Sequence, residues 1–459
     1  MASGAAEPPS AVVAALQDRG RFGIRLGLAR TRALLAAVGS PERHVRGVLI
    51  GGTNGKGSTQ AMVASVLRAA GLRVGQTPKP HLVSYRERIV VDGRAIDPTD
   101  LDALLAEVLA AADRVERRHG APTEFEVLTT AAFLWLRRAG VDVAVIEVGL
   151  GGRLDATNAW DGGVAAITNV GLDHMEHLGT TVPAIAREKA AIIKRGDLAV
   201  TGATGEALRV IRRRASSVGA PLDVVVPLPV LDVDRGARGW RIRSLGELRL
   251  GLLGEHQAAN AAVAIATSRR WRAQASPPRP RARSGAASRR SVGRAASSCS
   301  AWMAWTSCST ARTTPTAPVR WPRRSTGWHA ASPGGRAALV LGVLADKDVS
   351  GMVGALRAAP ALRDAVVLAT PVPDTHRSLD AVTLAAAWGE GATPTASADD
   401  ALALGLATAA RTGGPLVVAG SLYLVGHLRA RLTGGAVHDR PAADAHPETS
   451  SSPGGLGRS

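Results

Sequence analysis

A glycine-rich stretch near the start of the chain has the residue types that bind a nucleoside triphosphate. It separates the apolar run 48–50 from an alanine-rich helical pattern and reads Gly52-Thr53-Asn54-Gly55-Lys56-Gly57-Ser58. A turn of this kind presents backbone N–H groups and a helix N-terminus to phosphate. Lys56 would add positive charge for the terminal phosphates, and Ser58 would add a hydroxyl ligand for Mg²⁺. We therefore expect these seven residues to bind ATP together with Mg²⁺.

Two further candidates for metal binding follow apolar runs that are typical of buried parallel strands. Glu147 lies at the end of the run 141–148, and His174 follows the run 164–168. Because parallel sheets bind ligands at the carboxyl ends of their strands, Glu147 could complete the Mg²⁺ site begun by Ser58. A neutral His174 could also bind a divalent ion. The alternatives are a solvated acid at a glycine-rich strand exit and a structural or exposed loop histidine.

Other polar residues have less specific patterns. Gln257 and Asn260 are three residues apart, so on a helix they share one face, where two amides can bind a purine edge or cap a turn. Asp346 lies in a charged turn after the strand-like run 337–343, again at the ligand end of a sheet. Lys189 belongs to a segment of mixed charge, 187–194, whose simplest interpretation is a solvated helix face.

Strand-like and helix-like segments alternate between residues 47 and 201 and again after residue 328. This rhythm predicts an α/β fold, with a parallel sheet covered on both faces followed by a smaller α/β unit. We place the first domain at 21–285 and the second at 286–434. Residues 1–20 are expected to form a flexible N-terminus. Residues 435–459 are expected to form a disordered tail, because their C-terminal part is rich in Pro, Ser and Gly.

Composition narrows the class of protein. No uncharged apolar run of 18 residues and no secretory signal is recognisable, so we predict no membrane span. Cys299 and Cys308 form neither a disulfide framework nor a metal-binding pattern, which is typical of the cytoplasm. The net charge is +18, but residues 269–326 contain 13 Arg and no Lys, Asp or Glu. Without those arginines the charge is +5, an ordinary value for an enzyme that acts on anions.

The glycine-rich stretch departs from the common pattern G-x-x-x-x-G-K-[ST] in a specific way. Ile50 replaces the first Gly, and Gly57 separates Lys56 from Ser58. One group of ATP-dependent amide-forming ligases has this variant of the motif. The chain resembles the bifunctional dihydrofolate synthase/folylpolyglutamate synthases of the Mur ligase superfamily, over about 21–267 and 328–434. The resemblance rests on 52–58, 80–88 (PHLVSYRER), 147–158 (EVGLGGRLDATN), 173–179 (DHMEHLG), 256–260 (HQAAN), 344–348 (LADKD) and 420–426 (GSLYLVG).

The resemblance implies that ATP binds between a P-loop parallel-sheet ATPase domain and a smaller, Rossmann-like C-terminal domain. It implies Ser58, Glu147 and His174 as ligands of two Mg²⁺ ions, and a carbamylated Lys189 beside them. Gln257, Asn260 and Asp346 match nucleotide contacts. The substrates implied are dihydropteroate or a reduced folate, and L-glutamate. We expect a monomer that binds neither nucleic acid nor membrane.

The 80–88 segment is implied to lie near the pterin substrate, with Pro80, His81 and Arg86 as substrate contacts. One residue departs from the family pattern, because Lys79 stands where a serine usually precedes Pro80. The reaction implied is transfer of the ATP γ-phosphate to the substrate carboxylate, followed by attack of the glutamate amine on the acyl phosphate.

An abrupt change in composition interrupts the second half. The family's Asp-Gly-Ala-His-Asn-Pro segment is missing, and residues 269–326 stand in its place. When 306–318 are written in GC-rich codons and read one base earlier, they give Asp-Val-Leu-Leu-Asp-Gly-Ala-His-Asn-Pro-Asp-Gly-Ala. The same shift over 292–305 gives a Gly-Arg-Leu-Glu stretch, which the family has just before that segment. Our hypothesis is that two compensating indels bracket a frame-shifted window, which would be disordered as translated.

The indels are expected near residues 268–290 and 326–330, either as sequencing errors or as mutations in the gene. Resequencing the gene tests this hypothesis. A clean read that reproduces the present frame would refute the error explanation.

Three alternatives remain at this level. The chain could bind nucleotide but lack ligase activity, because its C-terminal ATP contacts are scrambled. It could be a Mur-type ligase with another acceptor, although 80–88 argues against this. The Arg- and Trp-containing window could bind nucleic acid, but it has neither a periodic core nor a recognisable nucleic-acid-binding motif.

Overall fold

An eight-stranded sheet organises the first unit of the computed structural model, which describes residues 10–227, 230–233, 240–242, 248–250, 256–274, 335–359, 362–373 and 375–433. Its strands are β1 (Gly47–Gly51), β2 (Val74–Thr77), β3 (Val90–Val91), β4 (Arg94–Ala95), β5 (Val143–Glu147), β6 (Gly163–Ile167), β7 (Leu198–Thr201) and β8 (Leu222–Val224). The order is β4-β3-β2-β5-β1-β6-β7-β8; β3 pairs antiparallel with both β2 and β4, and the other neighbouring strands are parallel. Because β1 lies between β5 and β6, the loops that leave these three strands share one edge of the sheet.

Nine helices surround this sheet in the described part of the first unit. They are α1 (Ala11–Asp18), α2 (Ala29–Ala37), α3 (Lys56–Ala69), α4 (Pro98–His119), α5 (Glu124–Arg138), α6 (Met175–Leu178), α7 (Val182–Ala190), α8 (Gly205–Val218) and α9 (His256–Gln274). Alternate residues of β1 enter different cores, since Leu49 packs with Phe133 while Val48 and Ile50 pack with Val63. Both faces of the sheet are therefore covered, as the alternating pattern predicts.

The beginning of the chain differs from the expected flexible segment at 1–20. Ser10 caps α1 by accepting a hydrogen bond from the amide of Val13, at 3.2 Å. Val13 and Leu16 are buried against α4, and the side chain of Arg19 donates to Asp113 at 2.5 Å. Apolar burial and a cap therefore hold residues 10–18 in place, which corrects the expectation for that stretch. Residues 1–9 lie outside the described residues.

The second unit is a smaller parallel sheet, as predicted. Its strands are β12 (Ala338–Gly342), β13 (Val366–Ala369), β14 (Ala392–Pro394) and β15 (Leu416–Gly420), in the order β14-β13-β12-β15. Its helices are α10 (Val349–Arg357), α11 (Ala381–Trp388), α12 (Ala398–Thr412) and α13 (Leu422–Thr433). A three-stranded antiparallel sheet precedes α9, formed by β9 (Val230–Val233), β10 (Trp240–Ile242) and β11 (Leu248–Leu250).

The unusual window falls mostly outside the described residues. Residues 269–274 continue α9, where Trp271 is buried in the core, so the disorder expected of the window does not apply to these six residues. Residues 275–334, the domain boundary at 285/286 and the tail 435–459 lie outside the described residues, and those expectations remain predictions. Within the described part of the chain, no helix is long and apolar enough to cross a membrane.

A buried carboxyl group between α7 and β7 makes the stability of the first unit dependent on pH. Asp197 is buried, and its Oδ2 accepts a hydrogen bond from the amide of Lys194 at 2.7 Å. Burial raises the pKa of Asp197 from 3.8 to about 7; the Lys194 amide opposes this shift and the nearby Asp161 adds to it. A carboxyl whose pKa is raised on folding stabilises the fold in its protonated form, and this contribution is lost as the pH rises through about 7.

We therefore expect Asp197→Asn to gain stability relative to the wild type as the pH rises from 5 to 8. Asparagine keeps an oxygen for the Lys194 amide and never ionises. The difference in the free energy of unfolding should grow by about 2 kcal/mol over this range. Urea denaturation of both proteins at pH 5, 6, 7 and 8 measures it, and a difference that stays constant with pH would contradict the assignment.

Candidate active site

The glycine-rich loop follows β1 and is fixed by the segment that leaves β6. The amides of Thr53 and Asn54 donate to the carbonyl and side-chain oxygens of Asn169, at 3.0 and 2.9 Å. The hydroxyl of Thr168 donates to the carbonyl of Asn54 at 2.6 Å. These hydrogen bonds to residues 168 and 169 fix the backbone conformation of the loop.

The loop ends at the N-terminus of α3, where an anion can bind. Gly55 precedes the helix with φ +79°, and no side chain caps the helix there. A Cβ at Gly55 would lie 2.1 Å from Oδ1 of Asn260, so both the backbone angle and the space require glycine. The uncapped first turn, including Gly57 and Ser58, therefore presents N–H groups and the positive end of the helix dipole to a phosphate.

Gln257 and Asn260 share one face of α9, as their spacing predicts. Both are buried, and the side chain of Asn260 donates to Oε1 of Gln257 at 2.9 Å. Nε2 of Gln257 lies 3.4 Å from the hydroxyl of Ser58 and 3.1 Å from Nε2 of His256. The two amides thus support the glycine-rich loop. The contact with adenine that the family pattern implies stays a prediction.

Two lysines converge on the carbonyl oxygen of Gly52. Nζ of Lys56 donates to it at 3.2 Å and to the carbonyl of Thr53 at 3.2 Å, and Nζ of Lys189 donates to it at 3.0 Å. Lys189 is buried, which corrects the interpretation of 187–194 as a solvated face. Burial lowers the pKa of Lys189 to about 7, and the charge of Lys56 contributes. A substantial fraction of the Lys189 amine is therefore neutral near pH 7.

Glu147 ends β5 beside the start of α3. Its side chain is buried, and Oε2 has no hydrogen-bond partner within the described residues. That oxygen lies 3.5 Å from the position that a Cβ on Gly57 would take. Burial raises the pKa of Glu147, whereas the charges of Lys56, Lys79 and Arg88 oppose this shift. A buried carboxylate oxygen without a donor, next to a phosphate-binding turn, fits a Mg²⁺ ligand.

His174 lies at the exit from β6, where it adopts a left-handed backbone conformation with φ +48°. Its side chain is half exposed, and Nε2 lies 3.7 Å from Oδ1 of Asp173. Burial lowers the pKa of His174; Asp173 opposes this, and the charges of Lys56 and Lys189 add to it. The neutral ring can bind a metal. Among the described residues, however, no three His, Cys, Asp or Glu side chains form a ready-made metal cluster.

The loop 80–84 carries the expected substrate contacts. The Lys79–Pro80 peptide bond is cis, and Glu87 accepts hydrogen bonds from the amides of Leu82 and Val83, at 2.9 and 3.1 Å. His81 is buried, its ring packs at a tilt against that of Tyr85 with 4.4 Å between the ring centres, and its Nδ1 accepts a hydrogen bond from Arg88. The loop therefore has a defined shape.

Arg86 and Arg88 have different positions. Arg86, which we expected at the substrate, donates to the carbonyl of Ile96 at 2.7 Å, beside β4. Arg88 instead lines a cavity of about 10 Å³ together with Lys79 and Phe125, and donates to His81 at 2.8 Å. Sequence reasoning did not single out Arg88, although it ends the quoted 80–88 segment.

The second unit contacts the loop 80–84 through α13. Leu82 is buried in the core of the second unit, with Leu424 and Leu428 of α13. A Cβ at Gly426 would lie 2.0 Å from the carbonyl oxygen of Leu82, so glycine allows the helix to touch the loop. Asp346 follows β12 as predicted and accepts a hydrogen bond from Arg377 at 2.5 Å. The loop 80–84 thus lies between the two units.

Comparison with known proteins connects this geometry to one family. The folylpolyglutamate synthase of Lacticaseibacillus casei is 33% identical over 430 residues, which cover 88% of this chain and 94% of that protein. The chain belongs to the folylpolyglutamate synthase family. Residues 50–221 also match the Mur ligase middle domain, which agrees with the resemblance inferred from the motifs.

Solved structures of family members have the same fold. Mycobacterium tuberculosis folylpolyglutamate synthase complexed with ADP and AMPPCP is similar with a TM-score of 0.70 and 29% identity, over 91% of this chain and 98% of that chain. The Escherichia coli protein FolC in complex with DHPP and ADP is similar with a TM-score of 0.70 and 27% identity, over 93% and 99%. The predicted two-unit α/β fold is therefore confirmed.

Other family members match over a shorter length. The dihydrofolate synthase/folylpolyglutamate synthase of Bacillus subtilis is 38% identical over 262 residues, which cover 54% of this chain and 60% of that protein. The chain thus matches less than two thirds of the length of that relative.

Proposed function

We propose that this chain is an ATP-dependent ligase that adds L-glutamate to dihydropteroate, to tetrahydrofolate (poly)glutamate, or to both, through an acyl phosphate. The observation that carries the proposal is the carboxylate of Glu147, whose Oε2 has no donor in the part of the chain that the structure describes and lies beside the uncapped start of α3. Relatives across the family bear the names of these two activities, and solved family members hold ADP, AMPPCP or DHPP.

Each group of the site has a role in this reaction. The N–H groups that begin α3 and the ammonium of Lys56 bind the phosphates and offset the charge that develops during transfer. Mg²⁺, when bound by Glu147, Ser58 and His174, supplies further positive charge to the transferred phosphoryl group. The loop 80–84 positions the pterin substrate, with Pro80 and His81 in contact and Arg88 fixing His81. Positioning dominates, because the protein forms no covalent bond with the substrate in this scheme.

The ligase-defective alternative has little support, since the match with the Lacticaseibacillus casei enzyme spans both units. The expectations of a cytoplasmic monomer that binds neither nucleic acid nor membrane remain predictions.

The purified full chain should release phosphate from ATP in the presence of Mg²⁺ and glutamate only when dihydropteroate or tetrahydrofolate is added. Mass spectrometry of the pterin product should show the mass of one added glutamate residue. Glu147→Gln keeps the shape of the side chain but removes its charge, and should lower the rate about 100-fold or more. Phosphate release that does not depend on either pterin would contradict the proposal.

We further propose that Lys189 carries a carbamate in the active enzyme, as its match to the family pattern implies. A neutral amine attacks CO₂, forming an N–C bond and releasing one proton. Three features support this step: Lys189 is buried, the pKa of its amine is about 7, and Lys56 lies close enough to offset the new negative charge. The product would be a carboxylate in place of an ammonium beside Gly52.

Protein equilibrated with ¹³C-labelled bicarbonate should therefore give a carbamate signal in ¹³C NMR that is stronger at pH 8 than at pH 6. The neutral fraction of Lys189 rises through its pKa of about 7. Lys189→Ala should lose the signal and at least about 100-fold in ligase rate. Lys194, whose pKa is also lowered by burial, provides the control, and Lys194→Ala should keep the signal. An undiminished signal in Lys189→Ala would disprove the assignment.

A further inference from the structure

Lys79 lies in this site, but the proposed reaction gives it no role. Its Nζ donates to the backbone carbonyl of Glu147 at 2.6 Å and lies 4.3 Å from the centre of the Phe125 ring. A carbonyl oxygen and an aromatic face both favour an ammonium at this point. The packing of Leu82 in the core of the second unit fixes the loop that follows Lys79. The charge therefore has a fixed place at the carboxyl end of β5.

The electrostatic surroundings of Lys79 include the carboxylate expected to bind metal. Burial lowers the pKa of Lys79 to about 8, which leaves the amine mostly protonated at pH 7; Asp155 and Glu147 favour the ammonium, whereas Arg88 and Lys56 oppose it. The hydrogen bond of Lys79 goes to the backbone of Glu147, and Oε2 of that residue has no donor within the described residues. Lys79 thus offsets the charge of Glu147 without occupying the oxygen that a cation would use.

We propose that Lys79 is a positioning residue that acts as a built-in cation. Its ammonium supplies part of the positive charge that a divalent ion bound at Glu147 would otherwise supply to the nucleotide. A fixed ammonium repels a divalent ion at the same carboxylate and attracts polyphosphate. The chain should therefore bind nucleotide with a weaker dependence on divalent ions than it would with a neutral residue at this position. This inference rests on the proposed nucleotide site.

The test uses Lys79→Met, which keeps the length and apolar stem of the side chain but removes its charge. Two quantities are measured for the full chain: the affinity for AMPPCP in metal-free buffer, by calorimetry, and the affinity of the AMPPCP complex for Mn²⁺, by electron paramagnetic resonance. In Lys79→Met the metal-free affinity for AMPPCP should fall about tenfold, and the affinity for Mn²⁺ should rise about tenfold. Lys79→Arg should stay close to the wild type in both.

The opposite signs separate an electrostatic role from a structural one, because a distorted site would lose both affinities together. Lys194→Met is the matched control, since Nζ of Lys194 also donates to a backbone carbonyl at 2.6 Å, that of Trp160. It should change neither affinity. Unchanged Mn²⁺ affinity in Lys79→Met, or a fall in both affinities, would overturn the inference alone. A wild-type chain that binds no AMPPCP under either condition would overturn this inference and the proposed function together.

Discussion

Two lysine side chains donate to the single carbonyl oxygen of Gly52, and the electrostatics of the site depend on how much positive charge they carry. Lys56 and Lys189 approach this oxygen from α3 and α7, and the dipole of α3 adds its positive end. Like charges so close together raise the free energy of the empty site. Anions relieve that cost, whether they arrive as the phosphates of a nucleotide or as a carboxylate formed on Lys189. Glu147 balances part of the charge and leaves an oxygen for a cation.

Much of this arrangement could be predicted from sequence, because it depends on local patterns. The glycine-rich turn after an apolar strand predicted the loop between β1 and α3, and continuous apolar runs predicted β5 and β6 with their carboxyl-end residues. The spacing of Gln257 and Asn260 placed them on one helix face. Each of these inferences needs only the period of a helix or strand and the known ligand edge of a parallel sheet.

Other features could not be predicted, because contacts between distant segments decide them; the substrate contact expected of Arg86 stays a prediction. Arg86 and Arg88 are two residues apart in a short 3₁₀ turn, and sequence alone does not tell which one turns inward. The structure directs Arg88 to His81 and Arg86 to the Ile96 carbonyl. Likewise, α1 is too short for its apolar periodicity to predict a helix. It is held in place by packing against α4 and by the contacts of Arg19. The burial of Lys189 depends on the packing of α7 under the loop, so a charged segment looked solvated.

The contact between Leu82 and α13 has a consequence for the order in which the molecule matures. Leu82 belongs by sequence to the first unit but completes the core of the second, where Gly426 touches its carbonyl. During synthesis the glycine-rich loop can form as soon as the first sheet has folded. The loop 80–84 cannot dock until α13, some 340 residues after Leu82, has been synthesised. If the two loops bind nucleotide and acceptor as proposed, a nascent or truncated chain would form the nucleotide loop before the acceptor loop and would not commit ATP until the last helix is in place.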